Sequence, residues 1–169
     1  MEKTIRLSGI AYESLVNGPG MRRVFFAQGC KHKCKGCFNP DTHDFGGGEQ
    51  RNLDELIEDT LNNPILRGVT FSGGDPWEQA DKFDYMAKAF KDKGLSIWSY
   101  TGYTYEYIIE HQDEHEGWND LINSIDVLVD GKFEKDKIQD GLKFRGSTNQ
   151  RIIDVKESVR LDKIITIDY

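Results

Sequence analysis

Short apolar runs alternate along this chain with stretches whose hydrophobic residues recur every three to four positions, and that alternation leaves few folds open to it. Val24 to Ala27 and Leu95 to Tyr100 read as strands, Gly68 to Phe71 as a short buried strand and Ile125 to Val129 as a nearly continuous apolar one. Between them, Leu53, Leu56, Ile57 and Leu61 mark one helical stripe, and Ala80, Phe83, Ala87 and Phe90 mark another. Asn52 opens the first of these helices with Glu55 at the capping-box position, Pro64 closes it, and Gly94 stops the second. Thr104 to His111 and Trp118 to Asn123 read as shorter helical pieces, and Arg151 to Val155 as a final strand. Upstream, Ile5 to Tyr12 is a further strand, separated from the next by the turn Asn17-Gly18-Pro19-Gly20. Strands alternating with amphipathic helices imply βαβ units, a mainly parallel sheet and right-handed crossovers. A full eight-unit barrel takes about 250 residues. With 169 residues, the chain is expected to be a single α/β domain, 1–169, built as a partial open barrel or curved sheet with its active face uncovered.

In sheets of this kind functional groups gather at the carboxyl ends of the strands. Here those ends are Gly29-Cys30, Ser72-Gly73-Gly74-Asp75, Tyr100-Thr101-Gly102-Tyr103 and Asp130-Gly131-Lys132. Each has an ordinary reading: Asp75 caps the next helix with Pro76 in its first position, and the other exits are turns. Each also has a chemical one. Side-chain-free backbone at Gly73 and Gly74 lets a ligand approach closely and exposes carbonyls to an ammonium group. Later, Arg145 and Arg151 flank Gly-Ser-Thr-Asn-Gln, a composition able to hold a carboxylate or phosphate, or to serve as a polar loop.

All three cysteines fall in one loop, Cys30, Cys34 and Cys37, with C-x3-C-x2-C spacing. Three thiolates can hold one iron-sulfur cluster or one metal ion. A structural zinc site wants a fourth protein ligand, which His32 or His43 could supply; a 4Fe-4S cluster on three cysteines leaves one iron open for chemistry. The odd count and the absence of an apolar signal segment after Met1 argue against a disulfide framework and for a reducing cytoplasm. No apolar run approaches the roughly 20 residues of a membrane span. A net charge of −7 argues against a nucleic-acid surface. Against that acidic background Lys31, Lys33 and Lys35 make the cysteine loop basic, which favours thiolate and balances a negatively charged cluster.

The cysteine motif followed by Ser72-Gly73-Gly74-Asp75-Pro76 resembles the radical S-adenosylmethionine superfamily. Asn17-Gly18-Pro19-Gly20-Met21-Arg22, Phe26-Ala27-Gln28-Gly29-Cys30 and Cys37-Phe38-Asn39-Pro40-Asp41-Thr42 resemble its glycyl-radical activating enzymes. Trp98 to Thr104, Asp126 to Gly131 and Arg145 to Arg151 are similar to the branch that activates the anaerobic (class III) ribonucleotide reductase. The resemblance implies a partial (β/α) barrel carrying a 4Fe-4S cluster on Cys30, Cys34 and Cys37, whose open iron binds S-adenosylmethionine. It implies that Ser72, Gly73, Gly74 and Asp75 bind the methionine ammonium, that Asp130 and Lys132 lie near the carboxylate or ribose, and that Tyr100 and Thr101 line the pocket. Adenine falls to Gly36, Cys37, Phe38 and Asn39, because Gly36 stands where the superfamily usually has an aromatic residue. Partners implied are the large subunit of the reductase and a low-potential electron donor; an open sheet of this size also suggests that the reductase, or a second copy of the chain, covers the radical from solvent. Two other readings stay open: an activating enzyme for another glycyl-radical protein, and a non-enzymatic metal or electron-transfer module.

Overall fold

Residues 1–32 and 44–169 are described in a computed structural model. Seven strands make one sheet: β1 (Thr4–Ser14), β2 (Arg22–Ala27), β3 (Glu49–Asn52), β4 (Gly68–Gly73), β5 (Ser96–Tyr100), β6 (Val127–Asp130) and β7 (Arg151–Asp154). Their order is β3-β1-β2-β4-β5-β6-β7. The central strands β2, β4, β5 and β6 run parallel. Parallel neighbours need a crossover of a dozen or more residues, usually a helix. Helices α1 (Leu53–Leu61), α2 (Ala80–Asp92), α3 (Tyr105–His111) and α4 (Trp118–Ser124) lie in those connections.

The flanks correct the expectation of a mainly parallel sheet. Strand β1 pairs antiparallel with both β2 and β3, and β7 pairs antiparallel with β6. Only seven residues join β1 to β2, too few for a crossover, and the segment from β6 to β7 contains no α-helix. A second correction concerns the end of the chain. Strand β7 stops at Asp154, and Val155 begins a helix, α5 (Val155–Leu161). Asp154 caps it, accepting from the Glu157 amide at 3.1 Å. The capping expected of Asn52 holds, since its side chain accepts from the Glu55 amide at 3.0 Å.

Because strand side chains alternate, the sheet has two faces. Phe25, Phe71, Ile97 and Leu128 point to one of them and pack with Leu53, Phe83, Phe90, Ile108, Leu121 and Val155, so all five described α-helices cover that face. On the other lie Trp98, Val127, Val129 and Ile152, met by Tyr100, Phe144 and Ile167. No described α-helix covers this second face; segment 131–150 and the C-terminal residues fold over it instead. Among the described residues, no helix is long and apolar enough to cross a membrane.

Candidate functional site

Four strand exits meet at one open hollow. Cys30 and His32 after β2, Ser72, Gly73 and Gly74 at the end of β4, Tyr100, Thr101 and Gly102 after β5, and Gly131 after β6 line a cavity of about 760 Å³. Cavities that hold small ligands run from roughly 300 to 1,000 Å³. Phe26 and the 16–17 loop close one side, and Gln139 to Leu142 with Phe144, Arg145, Gly146 and Gln150 close the other. The cavity occupies the face without helices, at the carboxyl ends of the parallel strands, as the strand-exit rule expects.

Backbone bonds knit the two exits nearest the thiol. The Gly74 amide donates to Ala27 O at 2.8 Å and the Asp75 amide to Gly29 O at 2.7 Å. This close approach depends on Gly73, whose φ is +99° and where a Cβ would lie 2.4 Å from the Ala27 nitrogen. Cys30, half-buried, therefore stands beside the Ser72–Gly74 backbone.

Asp75 is fully buried, and its carboxylate does not line the cavity. It accepts from the Trp77 amide at 3.0 Å, which is the helix-capping role read from Asp-Pro. It also accepts from the Thr101 hydroxyl at 2.9 Å and the Gly102 amide at 3.0 Å, and meets His32 Nε2 at 2.6 Å. Tyr100 is set by a hydrogen bond from its hydroxyl to Phe144 O. Burial pushes the Tyr100 phenol above its ordinary range, so it stays a neutral donor. Tyr103 is pushed up too, first by burial and then by Glu78, which accepts from its hydroxyl.

Asp130 and Lys132 are placed elsewhere. They line a neighbouring hollow with Glu106 and Arg151. Asp130, 1% exposed, accepts from the Tyr105 amide at 2.7 Å and from Arg151 Nε at 3.1 Å. Hydrogen bonds to Asp130, then to Glu106, raise the Arg151 pKa. Arg145 holds its own loop, donating to Thr148 O at 3.1 Å and Gln150 O at 2.8 Å. Cys34, Gly36, Cys37, Phe38, Asn39 and His43 lie outside the described residues.

Sequence reasoning did not single out the covering residues Val16 and Gln139 to Leu142, which come from segments without periodicity. Asn17 and Phe26 stood in the segments that carried the resemblance, with no place in the cavity assigned to them. For Phe144 and Arg145 the arginine-flanked segment was a usable signal.

Residues 16–153 match the family model described as a 4Fe-4S single cluster domain. The anaerobic ribonucleoside-triphosphate reductase-activating protein of Vibrio cholerae is 39% identical over 146 residues, 82% of this chain and 90% of that one. Its namesake in Escherichia coli is 35% identical over 144 residues, covering 80% and 90%. That of Enterobacteria phage T4 is 34% identical over 145 residues, covering 81% and 86%. Among solved structures, QueE from Escherichia coli superposes with a TM-score of 0.50 at 13% identity, over 61% of this chain and 55% of that one, a likeness of fold.

Proposed function

The chain belongs to the family of anaerobic ribonucleoside-triphosphate reductase-activating proteins, and from that premise we propose that it is a radical S-adenosylmethionine enzyme that installs a glycyl radical in its reductase. Its sheet, with the described α-helices on one face, is read as the partial open (β/α) barrel of that superfamily, acting as one domain over residues 1–169. The observation that carries the proposal is the meeting of Cys30 and the Ser72–Gly74 backbone in one cavity at the strand exits.

The donor chemistry fits a 4Fe-4S cluster. Cys30 contributes a thiol at the cavity wall, beside a glycine-rich backbone able to accept hydrogen bonds from an ammonium group. Cys30, Cys34 and Cys37 would hold the cluster, leaving one iron for the amino and carboxylate groups of S-adenosylmethionine. When bound and reduced, that pair would supply one-electron cleavage of the sulfonium to methionine and a 5'-deoxyadenosyl radical, which would take a hydrogen atom from a glycine of the reductase.

The chain's own residues bind, orient and shield. Ser72, Gly73 and Gly74 present backbone to the methionine ammonium. Tyr100 and Thr101 line the cavity beside them, Tyr100 fixed by Phe144 and Thr101 by Asp75. Gly36, Cys37, Phe38 and Asn39 take adenine. Segment 139–146 keeps water from one side of the cavity, and the large subunit of the reductase, or a second copy of this chain, covers the open side. Cluster potentials span roughly −700 to +450 mV, and reducing a sulfonium calls for the low end, so a low-potential cytoplasmic donor must supply the electron.

The test is anaerobic. Reconstituted protein given a reductant and S-adenosylmethionine is expected to release methionine and 5'-deoxyadenosine, and to raise a glycyl-radical signal in electron paramagnetic resonance (EPR) when the reductase is added. Cys34→Ala is expected to abolish cleavage with the fold intact. Undiminished cleavage by that variant, or stoichiometric zinc with negligible iron, overturns the proposal.

A further inference from the structure

We infer that His32 is a positioning residue that, through Asp75, fixes Cys30 against the Ser72–Gly74 strand exit; the inference deepens the cluster reading and rests on it. His32 sits two residues past Cys30, with its side chain 6% exposed and that of Asp75 fully buried. Its Nε2 lies 2.6 Å from Asp75 Oδ2. The ring stands edge-on to Tyr103, centroids 4.5 Å apart at 74°. It passes so close over Gly102 that a Cβ there would come within 2.4 Å of the imidazole Cδ2. A buried imidazole without a partner is costly, so the ring has one favourable seat, and Asp75, Tyr103 and Gly102 define it.

Asp75 holds the chain on both sides of the thiol. Its backbone amide donates to Gly29 O at 2.7 Å, just before Cys30, and its carboxylate takes His32 just after. Lys31 adds an ion pair at 3.3 Å to Glu78, in the short 3-10 turn that Asp75 caps. That turn leads directly from the Ser72–Gly74 backbone, so thiol and ligand cradle share one anchor. This gives Asp75 a role different from the one implied by resemblance. Its carboxylate, occupied by Trp77, Thr101, Gly102 and His32, works from behind the cavity and not on the ligand. Partners one shell out from metal ligands commonly matter by about 10- to 100-fold in affinity or activity.

Wild type is compared with His32→Ala, His32→Gln and Gly102→Ala, all checked for folding by circular dichroism. In metal-free protein the readout is the alkylation rate of Cys30 by iodoacetamide, resolved by peptide mass spectrometry. In reconstituted protein the readouts are iron loss to a chelator and the change S-adenosylmethionine causes in the EPR spectrum of the reduced cluster. His32→Ala is expected to speed alkylation and iron loss about tenfold and to weaken the S-adenosylmethionine response about tenfold. Gly102→Ala, which keeps every hydrogen-bonding group but fills the seat of the ring, is expected to do the same. Gln can donate to Asp75 through its amide nitrogen and should restore most of each value. Wild-type rates in both alanine variants, or Gln no better than Ala, would overturn the inference. Wild-type protein loaded with zinc in place of iron would remove the cluster reading alone, because the metal-free alkylation comparison still decides the role of His32.

Discussion

The two faces of the sheet are made by alternate residues of the same strands, yet one is sealed by a large hydrocarbon core and the other joins a smaller apolar cluster to a set of buried hydrogen bonds. Phe71 faces the helices, lying 4.7 Å from the Phe83 ring and 6.2 Å from Phe25 between centroids. Its neighbour Thr70 faces the other way and is equally buried, but it donates to Asn17 O at 2.7 Å and accepts from Arg22 Nε at 2.9 Å. Arg22 is fully buried with no carboxylate among its hydrogen-bond partners, which are Thr70, Pro19 O, Val69 O and both oxygens of Ser96. Burial pulls its pKa down to about 10, so the guanidinium stays charged at neutral pH. The helical face supplies cohesion that does not depend on direction. The open face needs directional bonds, because it must hold loops over a cavity without filling it.

The sharpest way to break that contrast is Phe71→Ala. Removing a fully buried ring from the helical face is expected to cost about 3–5 kcal/mol in urea unfolding, with the denaturant slope unchanged. At a temperature where the variant remains folded, S-adenosylmethionine binding should be close to normal. A stable variant that had lost binding would show that the two faces are not divided as described.

Arg22→Met tests the open face. Methionine fills similar space but leaves buried carbonyls without donors, and an unsatisfied buried polar group costs about 1–3 kcal/mol. Destabilisation in that range is expected, smaller than for Phe71→Ala. A neutral or stabilising outcome would mean that hydrocarbon could tie this face as well.

How far the sequence revealed this arrangement follows the same division. The parallel core strands and the stripes of α1 and α2 were legible because burial on the helical face imposes a period. Strand β3, Glu49-Gln50-Arg51-Asn52, has no apolar residue and is a strand only because β1 offers Thr4 to Leu7 as a pairing edge. Helix α5 was legible in principle from the Asp154 and Glu157 spacing, but the apolar run before it read as continuing to Val155. At the site, the strand-exit rule found Cys30, Ser72 to Gly74, Tyr100 and Thr101 together. The Asp-Pro pattern foretold the capping bond from the Trp77 amide to Asp75, but not the bonds that hold the rest of that carboxylate away from the cavity. Those come from His32, 43 positions away, and Gly102, 27 positions away, and no local pattern encodes such distances.

The smallest expected effect lies at the rim, where Arg151 bridges a buried carboxylate and an exposed one. The side chain of Asp130 is 1% exposed and that of Glu106 is 61% exposed, on the same guanidinium. Solvent screens the outer pair, so Glu106→Gln is expected to cost about 0.5 kcal/mol or less at neutral pH. The hydrogen bond from Arg151 holds the Glu106 carboxyl below its ordinary 4.5, so the folded protein binds that proton less readily than the unfolded chain. The contribution is therefore complete above 4.5 and fades as pH falls through the lowered folded value. Urea midpoints of wild type and variant should differ slightly at about pH 7 and draw together as the pH falls below 4.5, and the neutral-pH difference should shrink in about 1 M salt. A gap that survived both acid and salt would mean that Glu106 acts through packing of its stem, and that the exposed rim is built more like the helical face than like the hydrogen-bonded one.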